Sequence, residues 1–531
     1  MKNAFLRLLL SLSLVGAPVV SGAADAPAPD PAAAPAVSRA DRDVAPLLVS
    51  LLDERKLQRP SAAEFQNTAL REIVTFTTPA GYRLKNRVLE LGVPLAQALS
   101  LSRDRQLMGR LLEAARWTSS PRVRSEALLA LAAQRDPAHF KFLREALLDR
   151  NVSLQFAAIE ALQVWGGKEA VPLLLQTANG TWTPLIRVYA AQAAWRMGDP
   201  AGKALLTGFL RERNWFMRAL SARYIGELGA GSDANLLLSR IGAERDNKFV
   251  LAEMCIGALN LTAKKSPAKP RPPSARPVRP ARPTPSPAVF ELEPLVITAP
   301  RARMASPFVD VRIDNDLVRL LEEMAAAPPV TQQVVDPELQ DLNNLITPSG
   351  FHLKIRYSDI SYLLTEGLAG TRNFGLVQKL EEIARKNANP RVRASALVAL
   401  AYDRTRSDTF VFRDALKDAN SIVRFGAVEA LSELGNASSA ADLADVANND
   451  RSPIVRVFAA QAMSRCGDPY GREMLLRGLD DPDHVVRAVA IYYLGEMGEP
   501  DDYYRVQNRL NSETHAFVQA ETCLAMMRLS P

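Results

Sequence analysis

Cysteine and aromatic residues are scarce in this chain, and so are long apolar runs. Three Cys (255, 466 and 523) in 531 residues exclude a disulfide-stapled scaffold, and their spacing fits no zinc motif. The four His (139, 352, 484 and 515) never cluster. Aromatics make up 6% of the chain, low for a β-sandwich or barrel, whereas 47% is hydrophobic and dominated by Ala and Leu. That composition excludes wholesale disorder and provides for a large core. No Gly-x-Ser-x-Gly elbow, His-Glu-x-x-His pair or Gly-rich loop before Lys-Ser/Thr occurs. The sequence therefore offers no catalytic, cofactor-binding or metal-ligating set, and the reading is non-enzymatic.

The start of the chain reads as an address. Lys2 and Arg7 precede the apolar stretch Leu8 to Val20, and Ser21-Gly22-Ala23 supplies small residues for cleavage. Gly16 and Pro18 interrupt that stretch short of the roughly 18–20 apolar residues a spanning helix needs. Residues 1–23 are thus expected to be a cleavable signal peptide. No Cys stands near the cleavage point to make a lipobox, and residues 24–45 form a disordered Ala/Pro tether. The expected location is periplasmic or secreted, with no transmembrane segment in the mature chain.

One unit is written twice. Shifted by 269 residues, the chain matches itself: Thr78-Pro79-Ala80-Gly81-Tyr82-Arg83-Leu84-Lys85 falls on Thr347-Pro348-Ser349-Gly350-Phe351-His352-Leu353-Lys354. Pro184 to Pro200 falls on Pro453 to Pro469 with 11 of 17 positions identical. After a one-residue slip, Cys255 meets Cys523 in the last helix of each copy, where both read as small core residues. A shorter period runs inside each copy. Val392-Arg393, Val423-Arg424, Val455-Arg456 and Val486-Arg487 recur at 31, 32 and 31 residues. Val123-Arg124, Ile186-Arg187 and Met217-Arg218 keep the same frame, with one slot drifted to Leu154-Gln155. Ala and Leu recur at helical spacing around each anchor, and Gly-Asp-Pro (198–200 and 467–469) stops one unit and opens the next. A period near 31 with two helices is a solenoid, because one helical hairpin cannot bury its apolar face alone.

These units resemble the HEAT-repeat family, especially the short HEAT-like repeats of phycobilisome lyases, over about 104–261 and 373–529. The resemblance implies an Asp in each turn and a Val-Arg pair early in the second helix. Asp418, Asp450 and Asp481 stand six residues before Arg424, Arg456 and Arg487, so each Arg, Arg456 on Asp450 for instance, is expected to bond its own turn carboxylate. The first copy carries Thr118, Asp149, Thr181 and Glu212 in its turns, and fewer such rungs are expected there. The off-period segments 47–103 and 317–372 are expected to cap the two solenoids. A bilin-handling activity does not follow, because nothing positions a pigment or a reactive acid.

The fold class is all-α: two HEAT-like solenoid lobes from an internal duplication, joined by a Pro-rich linker. The divisions are lobe 1 at 46–262, a basic linker at 263–312 and lobe 2 at 313–531. Residues 263–288 hold nine Pro and seven basic residues, equal in number to the chain's whole net charge of +7, so the lobes are not basic overall and a nucleic-acid groove is disfavoured. Few contacts between lobes are expected. All five Trp (117, 165, 182, 195 and 215) lie in lobe 1, and Trp117, Trp182 and Trp215 fall on turns that line one edge, a candidate partner ridge. Leu295, Val296, Ile297 and Thr298 form a β-prone stretch that looks like the TonB box of outer-membrane receptors, which adds as a strand to a partner's sheet. A plain linker segment is the alternative. The whole reads as an exported adaptor for envelope protein partners, without nucleic acid. The alternative is a cell-wall or polysaccharide binder that uses the Trp edge and the basic linker.

Overall fold

The computed structural model describes residues 39–51, 64–76, 78–89, 91–102, 104–117, 121–181, 183–244, 247–265, 339–343, 345, 347–358, 363, 374–401, 409–435 and 439–530. Among these residues every regular element is helical. Four helices precede the repeats: α1 (Arg39–Leu51), α2 (Thr68–Ile73), α3 (Pro79–Leu89) and α4 (Gly92–Leu101). Five hairpins then make lobe 1: α5 (Arg105–Trp117) with α6 (Pro121–Gln134), α7 (Phe140–Leu147) with α8 (Val152–Trp165), α9 (Ala170–Gly180) with α10 (Pro184–Arg196), α11 (Pro200–Phe209) with α12 (Trp215–Leu228), and α13 (Ala234–Ile241) with α14 (Lys248–Lys265). Next come α15 (Gln340–Asn343) and α16 (Pro348–Ser358). Lobe 2 repeats the scheme: α17 (Phe374–Lys386) with α18 (Pro390–Ala401), α19 (Phe410–Ala415) with α20 (Ser421–Leu434), α21 (Ala440–Asn449) with α22 (Pro453–Arg465), α23 (Pro469–Gly478) with α24 (His484–Met497), and α25 (Tyr503–Ser512) with α26 (Ala516–Leu529).

The two helices of a hairpin differ in composition for a physical reason. The second helices stack side by side, α6 to α14 in lobe 1 and α18 to α26 in lobe 2, and form an inner layer. Each is wrapped on nearly every side, so its sequence is apolar all round: α10 buries Leu185, Ile186, Val188, Tyr189, Ala190, Ala191, Ala193 and Ala194. Burying a side chain the size of Leu or Val contributes about 1.5–3 kcal/mol, and the intervening Ala residues let neighbouring helices approach. The first helices form an outer layer and bury one face only, as α9 does with Ala170, Leu174 and Ala178.

The Gly-Asp-Pro motif performs three jobs in three residues. Gly198 and Gly467 take left-handed φ values of 97° and 92° and reverse the chain. Asp199 and Asp468 accept from the Ala201 and Tyr470 N–H groups as helix caps, and Pro200 and Pro469 open α11 and α23.

The expected tether ends earlier than residue 45. Residues 39–45 already belong to α1, whose Ala40, Val44, Leu48 and Leu51 are buried at the three- and four-residue spacing of one helix face. That face lies against α26 of lobe 2 and also meets α4 and α5. Helix α4 in turn touches both α6 of lobe 1 and α26 of lobe 2, so the end of one solenoid abuts the start of the other. The expectation of few contacts between lobes is therefore overturned. The off-period segments do more than cap: α3 lies on the inner layer of lobe 2, where Ala80 and Arg87 meet Glu429 and Glu521, and α16 lies on that of lobe 1. The two inserted helices also touch each other. Residues 266–338 lie outside the described residues.

Candidate partner-binding surfaces

Two surfaces of the solenoid carry built polar contacts, its turn edge and its inner face. The turn edge carries the repeating Arg. These Arg side chains bond main-chain carbonyls at the end of the preceding helix or in their own turn, and most of them also reach a carboxylate in the next repeat. Arg424 donates to the Asp418 carbonyl oxygen at 3.0 Å, while its guanidinium pairs with both oxygens of Asp450 at 2.7 and 2.9 Å. Arg393 with Asp418, Arg487 with Glu513, Arg124 with Asp149 and Arg218 with Glu244 follow the same rule. The expected bond from Arg456 to the Asp450 carboxylate is thus corrected. Arg456 donates to the Asp450 carbonyl oxygen at 2.8 Å, and the carboxylate is taken by Arg424 from the preceding repeat. Stacked turns bring the next repeat's carboxylate within reach, whereas an Arg six residues on is already turned toward the carbonyls that end the previous helix. The drifted slot keeps half the arrangement: Gln155 donates to the Leu147 carbonyl oxygen.

Trp215 is half-buried, with Phe249 stacked at 5.7 Å and Tyr357 of α16 at 6.3 Å. Its counterpart in lobe 2, His484, stacks on His515 at 4.0 Å, and His515 lies 3.5 Å from Glu64. Trp165 is buried and donates to Glu169, and Trp195 packs partly buried on the core. The Trp117 side chain, Trp182, Leu295, Val296, Ile297 and Thr298 lie outside the described residues. Asn67 of the N-terminal segment bonds Asp483 at 3.0 Å, and Ser452 donates to Glu72, so this segment runs along the turn edge of lobe 2.

The inner faces hold the most built sites in the molecule. In lobe 2, Glu429 on α20 accepts from the Ala80 N–H at 2.8 Å and so caps the N-terminus of α3. Eight residues beyond the first residue of that helix, Arg87 forms a two-armed pair with Glu521 of α26 at 2.8 and 2.7 Å. Its third contact is Gln97 at 3.0 Å, and its guanidinium lies over the Tyr492 ring at 4.0 Å. Phe76, just ahead of the helix, stacks on Phe425 at 4.1 Å, and Phe425 stacks on Phe458. Gly81 permits the tight approach: a Cβ there would stand 2.4 Å from the Phe76 Cβ.

Lobe 1 repeats the site. Ser349 at the start of α16 donates to Glu160 of α8 at 2.9 Å. Arg356 pairs with Glu253 of α14 at 2.5 and 2.6 Å, and the Tyr357 hydroxyl donates to the same carboxylate at 2.9 Å. Tyr357 also meets the Phe216 ring edge-on at 4.9 Å. Arg356 and Glu253 are 2% and 0% exposed at the side chain, so the pair sits in a water-excluded groove. Burial pushes both capping carboxyls upward. Glu429 rises to about 7, because burial outweighs the Arg83 guanidinium, the Thr78 hydroxyl and the Ala80 N–H that favour its charge. Glu160 shifts the same way, from burial set against Thr347 and Ser349.

Sequence reasoning left these sites unread, although the Thr-Pro-small-Gly segment and the matching Arg87 and Arg356 were visible in both copies. Cys255 and Cys523 are buried in α14 and α26 as expected, and burial pushes the Cys523 thiol up to about 12. Among the described residues, no group of three or more His, Cys, Asp or Glu is arranged to hold a metal ion, and no helix is long and apolar enough to cross a membrane.

Paired helices stacked into inner and outer layers define an α-solenoid. Residues 108–187, 377–456 and 441–527 match the family model of HEAT repeats, so both lobes carry HEAT repeats. No curated protein matches it. Among solved structures it is similar to human deoxyhypusine hydroxylase in complex with glycerol, at 15% identity over 74% of this chain and 96% of that one, with a TM-score of 0.23. It is also similar to the karyopherin Kap121p bound to the extreme C-terminus of the protein phosphatase Cdc14p, at 12% identity over 90% and 49%, with a TM-score of 0.34. The chain spans about half the length of that karyopherin.

Proposed function

We propose that this protein is an exported, non-enzymatic adaptor that holds envelope protein partners on its solenoid surfaces. The observation that carries the reading is the content of the grooves. Each inner layer already grips a helix by a capped N-terminus, a buried two-armed ion pair and aromatic packing, which is protein recognition in a worked form. With the inner faces filled, the candidate surfaces for a partner are those named from the sequence: the turn edge of lobe 1, where Trp117, Trp182 and Trp215 fall, and the linker stretch Leu295 to Thr298. Export rests on the reading of residues 1–23, and a periplasmic or secreted location follows from it.

Crosslinking of the full chain in the native envelope tests the proposal. A discrete protein partner is expected, crosslinked through lobe 1 and lost when Trp117 and Trp182 are replaced by Ala. Val296→Pro in the same assay tests the linker stretch, because proline removes a strand donor. Retention on purified wall polymer, lost with the same Trp substitutions and with no protein crosslinked, would replace the adaptor with a polysaccharide binder.

A further inference from the structure

The 269-residue shift carries the two anchoring contacts of one groove into those of the other. The start of α3 on Glu429 becomes the start of α16 on Glu160. Arg87 on Glu521 becomes Arg356 on Glu253, once the one-residue slip is allowed for. In both cases the inserted helix comes from the opposite half of the chain. A contact of residue i in one half with residue j in the other is therefore matched by j with i, which is the rule for a two-fold interface between identical subunits. The contact of α3 with α16 is where such an axis passes.

We infer that the inner groove of each lobe is a helix-binding site with a readable rule, and that the two halves of this chain hold each other as the subunits of a dimer do. The rule has three parts. The helix opens Thr-Pro-small-Gly, as Thr78 to Gly81 and Thr347 to Gly350 do, so that a groove carboxyl caps its first turn. An Arg follows nine residues after the Thr and enters a buried carboxylate at the far end, Glu521 or Glu253. The Gly lets the preceding turn fold down on the helix: a Cβ at Gly350 would stand 2.5 Å from the Leu345 Cβ, as at Gly81. The occupant of each groove is the other half of the chain, and the Pro-rich linker is not what keeps the halves together. The N-terminal segment adds to the hold, through Tyr503 donating to Asp43 at 2.8 Å and α4 on α26.

The test severs the linker in the full protein. A specific protease site placed near residue 274 is cut after folding, and the product is sized by gel filtration with light scattering at about micromolar concentration. The halves should travel as one species of the uncut mass. Two separate peaks from the otherwise unaltered chain would overturn the inference. The rule is then tested in the cut protein. Glu521→Ala should weaken association at least tenfold, and adding Arg87→Met should recover most of that loss, because no buried guanidinium is then left without its carboxylate. Equal weakening in the single and double variants, with helicity intact, would show that the Arg–Glu pair does not govern the fit. Neither result depends on whether an envelope partner exists.

Discussion

Glu253 lies where three donors converge, and removing it gives the sharpest stability test. Its carboxylate accepts from Arg356 Nε, Arg356 Nη2 and the Tyr357 hydroxyl, at 0% side-chain exposure. Glu253→Ala strips the Arg356 guanidinium of this two-armed carboxylate in a buried groove where Arg223 stands close enough to repel it and Glu227 close enough to attract it. Breaking a buried pair from one side costs about 3–5 kcal/mol. For a cooperative unit of 150–250 residues, each kcal/mol moves the midpoint by about 2–4 °C, so the loss is about 6–20 °C. Thermal melting followed by circular dichroism at 222 nm reads it. The double variant Glu253→Ala with Arg356→Met should regain at least half, because replacing both members of a buried pair with apolar groups is close to neutral. A single variant that melts within about 2 °C of the parent would refute the reasoning. So would a double variant no better than the single one.

The ladder gives a ranking. Arg424→Ala, which loses the buried two-armed pair with Asp450 and two carbonyl bonds, should cost clearly more than Arg456→Ala, which loses one carbonyl bond and about 0.5–1.5 kcal/mol; equal midpoints for the two would refute the pairing between repeats. For Glu429 the sign follows from its raised value. The neutral acid is the form the folded groove prefers, so its contribution is full below about pH 4.5, the ordinary glutamate value, and is lost as pH rises through about 7. Glu429→Gln should therefore gain on the parent between pH 5 and pH 8, and parallel melting curves across that range would count against the assignment.

How much of this was legible in the sequence depends on the distance over which each residue acts. The all-helical class and the hairpin frame act within about one repeat, and period, Ala/Leu spacing and Gly-Asp-Pro stops revealed them. The duplication showed as direct self-identity at a shift of 269 residues. The Arg ladder misled because the period is ambiguous. Asp450 stands six residues before Arg456 and 26 after Arg424, and a sequence near a 31-residue period cannot choose between those partners. Only the stacking of turns decides, and it gives the carboxylate to Arg424. The grooves were beyond reach for a stronger reason. Ala80 meets Glu429 across 349 positions and Arg87 meets Glu521 across 434, and no periodicity encodes such a pairing. A signal did exist. The best-matched stretch outside the repeat frame kept Pro, Gly and a paired Arg in both copies, which is more than a plain cap would require.

The use of charge in a groove that apolar residues could fill has a physical explanation. An apolar helix in an Ala-rich groove would pack nearly as well one turn along, because dispersion contacts are not directional and the ridges repeat. A one-turn slip moves every side chain by about 5.4 Å. In lobe 2 that would withdraw the first N–H groups of α3 from Glu429 and leave Arg87 and Glu521 both buried and unpaired. Each unpaired charge then costs several kcal/mol, so the slipped arrangement is penalised at both ends at once. The pairs at the two ends of α3 and α16 therefore act as a ruler on helix length and register, whatever they add to net stability. The same ruler explains why the Thr-Pro start and the Arg stand nine residues apart in both copies.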